Sequence, residues 1–326
     1  MAAAIERFTL QIEALTAILS KTKNQREKGK SFYKNKARDV LFRLEALCRV
    51  YREIHDKKMF DTWYKKFKEL EDLLGVMDYH DSLYLEFSKY KELKGASEKI
   101  YLEKYEAEAK YLTDVLREQG WQNGTVLKEF DDFLTSALWK PEEEDTQAFG
   151  LVMCNELDKV VSKYHDGELS PYKLEEGIHE FRRRIRWVSI YATASNGLVQ
   201  LRENQMLEKE LSKYCTPEVV ASPFNVMPKQ KGMRTSIVIQ SAGFYALSWL
   251  ISELAMLKDT GFRFENFLHV MNASGKVNGD LKKKFLATCQ SDPLKVCENA
   301  EILMDQFIYR DMIPERVRRD IKRSIG

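Results

Sequence analysis

Residues 174–192 read LEEGIHEFRRRIRWVSIYA and concentrate the residue types best suited to chemistry with anions. At about 100° per residue, His179, Arg182, Arg183 and Arg186 fall within one helix face, while Leu174, Phe181, Ile185, Val188 and Ala192 fall on the opposite one. A helix of this pattern buries an apolar stripe and presents a cationic strip that carries one imidazole. A guanidinium is planar and can donate two parallel hydrogen bonds, so arginines clustered this way suit phosphates and other multivalent oxyanions. None of these three arginines has an acidic residue four positions away; Glu180, three before Arg183, is the nearest carboxylate able to neutralise one of them. His179 would donate to phosphate when protonated or order a neighbouring arginine when neutral; its other role would be purely structural. A solvated helix face is the bland alternative for any basic run.

Such a strip needs a scaffold and a facing wall. A second basic amphipathic helix is expected from about Ser31 to about His55. Tyr33, Val40, Leu44, Leu47 and Tyr51 would face the core, and Lys34, Arg38, Arg49 and Arg52 would share the outer face, with Glu45 interrupting it. Apolar residues recur at helical spacing along most of the chain, from Phe8, Ile12, Leu15 and Leu19 to Ile302, Met304 and Phe307, with 237–257 strongly apolar. No run alternates convincingly with period two, so the expected class is all-α. Breaks are expected at 28–30, Gly75, Gly95, 120–124, Lys140–Asp145, 166–167, 215–232 and 272–275. The 215–232 stretch holds three prolines and reads as the least helical part. The break at 140–145 lies near the middle, and AILSK (17–21) is weakly echoed by KVVSK (159–163). The simplest architecture is two pseudo-symmetric, four-helix-bundle-like halves, 1–140 and 146–326, forming one domain with a basic cleft between its two basic helices.

Composition adds bounds. The net charge is only +2, so anion affinity must come from local clustering. Residues 21–68 carry an excess of about ten positive charges, and 141–180 a comparable acidic excess. Five widely spaced cysteines without a CxxC pair argue for a reducing compartment and against a disulfide framework or structural zinc. No apolar run reaches the roughly 18 residues of a membrane span, and MAAAIERFTLQIEAL reads as a helix start, so a cytoplasmic protein without membrane contact is expected.

HEFRRRIR (179–186), with arginine three and seven positions after the histidine, resembles the signature of the CHAD domain, the conserved histidine α-helical domain. LLGVMDYHDSL (73–83) resembles that family's LG-x-x-x-D segment, with the aspartate one residue early at Asp78. These two segments are under a tenth of the chain. The first basic helix lacks the family's histidine: Ser31 and Asn35 stand at the corresponding places. The resemblance implies two pseudo-symmetric four-helix bundles around a basic concave surface. It also implies binding of inorganic polyphosphate, and with it polyphosphate-containing granules as partners, without catalysis and without a cofactor. His179, Arg182 and Arg186 carry over from the motif; Arg183 follows from helix geometry, and Lys34, Arg38, Arg49 and Arg52 would line the opposite wall.

Other constellations weigh less. His55, His80-Asp81 and Asp131 or Asp132 have a tolerable spacing for a metal-dependent HD-type phosphohydrolase. Glu176-x-x-His179 lacks the second motif of a di-iron bundle. EAEAK (106–110) matches a triphosphate-tunnel string but sits in a helical run. An RNA- or DNA-binding helical protein would use the same basic faces, with Trp187 as the flanking aromatic. No Walker A loop, GxGxxG or HExxH occurs.

Overall fold

Helical periodicity governs the observed structure as well. A computed structural model describes residues 3–229, 232, 234–275, 279–289 and 293–326, excluding the side chains of 284, 286–289 and 293. The chain is all-α. The first half runs through α1 (Ala3–Thr22), α2 (Lys28–Lys34), α3 (Ala37–Ile54), α4 (Lys57–Phe87), α5 (Lys94–Ser97), α6 (Glu103–Glu118) and α7 (Thr125–Ser136). After α8 (Glu142–His165), a π-helical turn at Leu174–His179 leads into α9 (Glu180–Ala194). Two short helices, α10 (Gln205–Glu210) and α11 (Pro217–Val220), precede the long α12 (Ser241–Ala273). The chain continues through α13 (Gly279–Cys289) and α14 (Pro293–Asp305) to α15 (Ile313–Ile325). No helix among the described residues is long and apolar enough to cross a membrane.

The larger hydrophobic core among the described residues runs from Ala4 to Ile321 and draws on both halves of the chain. Phe8, Tyr51, Phe60, Trp139 and Phe149 form its aromatic centre. A smaller cluster joins the far ends of α4 and α12, where Phe267 and Phe285 stack at 3.9 Å. α3 and α4 pack as an antiparallel hairpin, started by Asp56, which accepts from the Met59 N–H at 3.0 Å. α9 lies against α3, α8 and α12.

Polar groups tie the halves together inside the core. The Arg7 guanidinium of α1 is 1% exposed; it meets Asp145 of α8 at 2.6 Å, donates to the Ser195 carbonyl at 3.1 Å and bonds the Tyr51 hydroxyl of α3. The expected break at Lys140–Asp145 is therefore misplaced by a few residues. α8 begins at Glu142, its first turn carries four carboxylates where the helix dipole favours them, and Asp145 is a core anchor.

Three further expectations are corrected. The basic helix expected from Ser31 to His55 is two helices, because Lys36 is left-handed (φ 57°) and Asn35 bonds back to the Ser31 carbonyl. Gly75 does not interrupt α4. Two strands were not expected: β1 (Val199–Arg202) and β2 (Ile237–Gln240) pair in parallel, Val199 opposite Ile237. Four residues each are too few to show an alternation. β2 is sealed by α15, whose Ser324 and Asp320 each accept a strand N–H at 3.0 Å.

The buried Arg7–Asp145 pair yields a stability test. Asp145→Ala strands a guanidinium in the core and should cost about 3–5 kcal/mol. Arg7→Met with Asp145→Leu removes both charges and should cost clearly less. Urea denaturation of the three proteins distinguishes them; equal losses would mean that the pair itself is not what the single variant disrupts.

Candidate functional site

Where α9 crosses the α3–α4 hairpin, the two basic helices enclose a cleft of about 530 Å³. Its arginine side is set by the turn preceding α9. Gly177 leaves no room for a Cβ, which would lie 1.7 Å from the Ser170 carbonyl oxygen, so the close approach of these segments requires glycine. Phe181, Ile185, Val188 and Ala192 are buried as the periodicity predicts, and His179, Arg182, Arg183 and Arg186 line the cleft.

The facing wall differs from expectation. Of Lys34, Arg38, Arg49 and Arg52, only Arg38 lines the cleft. Lys34 is exposed at the end of α2. Arg49 lies over the Trp187 ring at 4.5 Å and donates to the Tyr191 hydroxyl at 2.8 Å, so it serves the α3–α9 join. Arg52 covers Tyr64 and pairs with Asp61 at 3.4 Å. Arg38 is clasped by α4: it meets Glu71 at 2.6 Å and Asp78 at 3.1 Å, and its guanidinium lies 2.8 Å from where a Cβ on Gly75 would sit. Gly75 and Asp78, two residues of the 73–83 segment, thus act together to hold Arg38 in place. Their spacing was legible in the sequence; their partner was not.

The cleft is mixed in charge. Arg38, Lys68, Arg182, Arg183 and Arg186 share it with Glu45, Glu71, Asp72, Glu175, Glu176 and Glu180. Most of these cancel locally. Glu71 serves Arg38, Lys68 bonds Asp72, and Glu180 bridges Arg183 at 2.6 Å and Arg184 at 2.7 Å, the first as its spacing suggests. Glu45 is buried with Oε1 unpartnered, and burial together with nearby Glu71 pushes its pKa up to about 8, so it mostly keeps its proton at neutral pH.

Arg182 and Arg186 remain. Among the described residues neither forms an ion pair. Arg182 Nε donates to the Ile251 carbonyl of α12 at 2.9 Å, and Arg186 lies over the Phe42 ring at 4.3 Å. Burial lowers the pKa of both; Asp259 opposes this at Arg182 and Arg38 reinforces it, while at Arg186 the neighbouring Arg182 and Arg38 outweigh Glu71 and Asp39 and bring it to about 10. Both stay charged at pH 7, at an energetic cost that a bound anion would offset.

The alternative metal constellation is not assembled. His55 packs on Trp139 at the end of α3, whereas His80 lies about 35 Å further along α4 at 1.5 Å per residue. No three His, Cys, Asp or Glu side chains among the described residues are grouped to hold a metal ion. The described cysteine side chains, Cys48, Cys154, Cys215 and Cys297, are free; that of Cys289 lies outside the described set. No family model matches the chain, and no curated protein or solved structure was found to be similar to it.

Burial holds the His179 imidazole below its ordinary pKa; Glu175 opposes this, and Lys258, Arg182 and Arg183 reinforce it. Burial lowers His55 and His80 in the same direction. The unfolded chain therefore takes up protons at these sites near pH 6.5, while the folded chain resists until lower pH. The stability these groups contribute is complete above that pH and should be lost progressively as pH falls through 6.5 towards the folded values. An NMR titration should give His179 a midpoint under 6.5, and denaturation midpoints should fall between pH 7.5 and 5. A His179 midpoint above 6.5 would contradict this assignment.

Proposed function

We propose that the chain binds, without catalysis, the phosphate groups of inorganic polyphosphate or a similar polyanion in the cleft between α3–α4 and α9. The observation that carries this proposal is the pair of unpaired, partly buried guanidiniums at Arg182 and Arg186, with Arg38 fixed across from them. His179 and Arg183 flank the pair, and a bound anion would raise the His179 pKa that burial and the nearby cations hold down. Because carboxylates already engage the other cations, the free charge suits one or two adjacent phosphates, and a longer chain would leave along the cleft rim. Further support comes from the likeness of 179–186 and 73–83 to the CHAD signature. On that basis the halves 1–140 and 146–326 act as pseudo-symmetric bundles facing each other across the cleft, in a cytoplasmic protein whose partners include polyphosphate granules.

Isothermal titration of long-chain polyphosphate, orthophosphate and single-stranded RNA at two salt concentrations tests this proposal. Polyphosphate should bind the more tightly, and its affinity should fall steeply with salt as counterions are released. Arg182→Ala with Arg186→Ala should weaken it at least a hundredfold, from roughly 1.5–3 kcal/mol per hydrogen-bonded charge. Equal binding of RNA would replace the proposal with a general nucleic-acid surface. No binding at low salt would refute it.

A further inference from the structure

Arg182 and Arg186 border two cavities. Behind the arginine cleft, on the α12 side, lies a second cavity of about 600 Å³ that shares Phe42, Arg182, Arg186 and Ile190 with the first. Its chemistry is different. Leu10, Phe42, Ile190, Phe224, Val226 and Ile251 give it apolar walls, and Phe224 is 60% exposed. The segment bearing Phe224 belongs to the 215–232 stretch that the sequence marks as irregular, yet its described part is firmly built. Asn225 is buried and donates to the Val219 carbonyl at 2.7 Å, and it accepts from Ser248 of α12. Residues 230, 231 and 233 lie outside the described residues.

One buried polar atom in this second cavity is also without a partner. Gln11 is only 3% exposed, lines the cavity, and its Oε1 accepts no hydrogen bond among the described residues. A buried amide oxygen left this way costs free energy unless a donor reaches it. Asp39 and Arg43 also line it, so three arginines outnumber one carboxylate there, and a cavity of this size that combines apolar walls with convergent polar groups and a net cationic rim has the usual form of a small-molecule site.

We propose that this cavity is the subsite for the organic part of a phosphate monoester. The phosphate would lie on Arg182 and Arg186, an apolar ring would pack between Phe42 and Phe224, and a donor group on that ring would reach Gln11 Oε1. The ligand is then an aromatic phosphate monoester of nucleotide-like chemistry. This inference rests on Arg182 and Arg186 being the oxyanion site, and it adds what their other side recognises.

The probes are orthophosphate, tripolyphosphate, 1-naphthyl phosphate and adenosine monophosphate, titrated into the full chain and three variants. Burying one face of a ring should make 1-naphthyl phosphate bind about tenfold tighter than orthophosphate, and adenosine monophosphate, with its exocyclic donor, at least as tightly. Phe224→Ser, at an exposed position, should abolish that gain while leaving tripolyphosphate affinity unchanged. Gln11→Leu should lower adenosine monophosphate affinity more than 1-naphthyl phosphate affinity; circular dichroism checks that each variant folds. Arg182→Ala with Arg186→Ala should weaken binding of all four at least a hundredfold. Aromatic esters that bind no tighter than orthophosphate, or a gain untouched by Phe224→Ser, would overturn the subsite while leaving polyanion binding intact. Aromatic esters that bind where tripolyphosphate does not would keep the subsite and overturn polyanion binding. Failure of all four probes would overturn both.

Discussion

The buried Arg7 guanidinium is the constraint on which the arrangement of the two halves rests. It binds α1 to Asp145 at the start of α8, to Tyr51 in α3 and to the Ser195 carbonyl just past α9. A charge at this depth is tolerated only when its partners stay in place, so the four segments are fixed relative to one another. α9 then lies on α3 with little freedom, and a second polar contact, Arg49 to Tyr191 under the Trp187 ring, sets its rotation. The cleft is what remains where the α3–α4 hairpin and α9 diverge beyond that contact.

Charge inside the cleft follows a simple rule. Every cation that can reach a carboxylate without leaving its helix face does so, through pairs such as Lys68–Asp72 and Glu180 with Arg183 and Arg184. Arg182 turns to the Ile251 carbonyl of α12 and Arg186 to the Phe42 ring of α3, and the carboxylates nearest them, Asp259 for Arg182 and Asp39 and Glu71 for Arg186, act on them without forming an ion pair among the described residues. Low local dielectric strengthens their mutual repulsion and would equally strengthen their attraction for an anion. The excess is therefore small in number but strongly felt, even in a chain of net charge +2.

What the sequence revealed depended on range. The face of α9 was legible because helical geometry fixes which residues share a side, and the Glu180–Arg183 pair because it spans one turn. The facing wall was not. Arg38 meets Glu71 across 33 positions and Arg49 meets Tyr191 across 142, and no local spacing rule records such partners. Outward-facing basic residues on one helix therefore looked equivalent when packing had already assigned Arg49 and Arg52 elsewhere. The break at Lys36 was hidden for a related reason, since a left-handed lysine has no signature of its own. The short strands escaped because four residues cannot establish a period, and their stability comes from a distant helix, α15.

Two guanidiniums without ion pairs and a buried, unpartnered glutamine oxygen, all lining one cavity, make the free protein less stable than apolar residues of similar size would. The apolar face of α9 is buried without them, through Phe181, Ile185, Val188 and Ala192, and what they add to its packing is the bond of Arg182 to the Ile251 carbonyl and the contact of Arg186 with Phe42. Arg186 even lies over Phe42, a site a leucine could fill without loss of charge solvation. The cost is thus concentrated on the wall shared by two cavities and on the residues that line them, Arg182, Arg186 and Gln11. An anion with an apolar body would offset each part of it at once: charge on the guanidiniums, a donor at the amide, and apolar surface against Phe42 and Phe224. Instability of this kind is what a bound ligand can relieve, and here it is concentrated on the helix that carries the arginine strip.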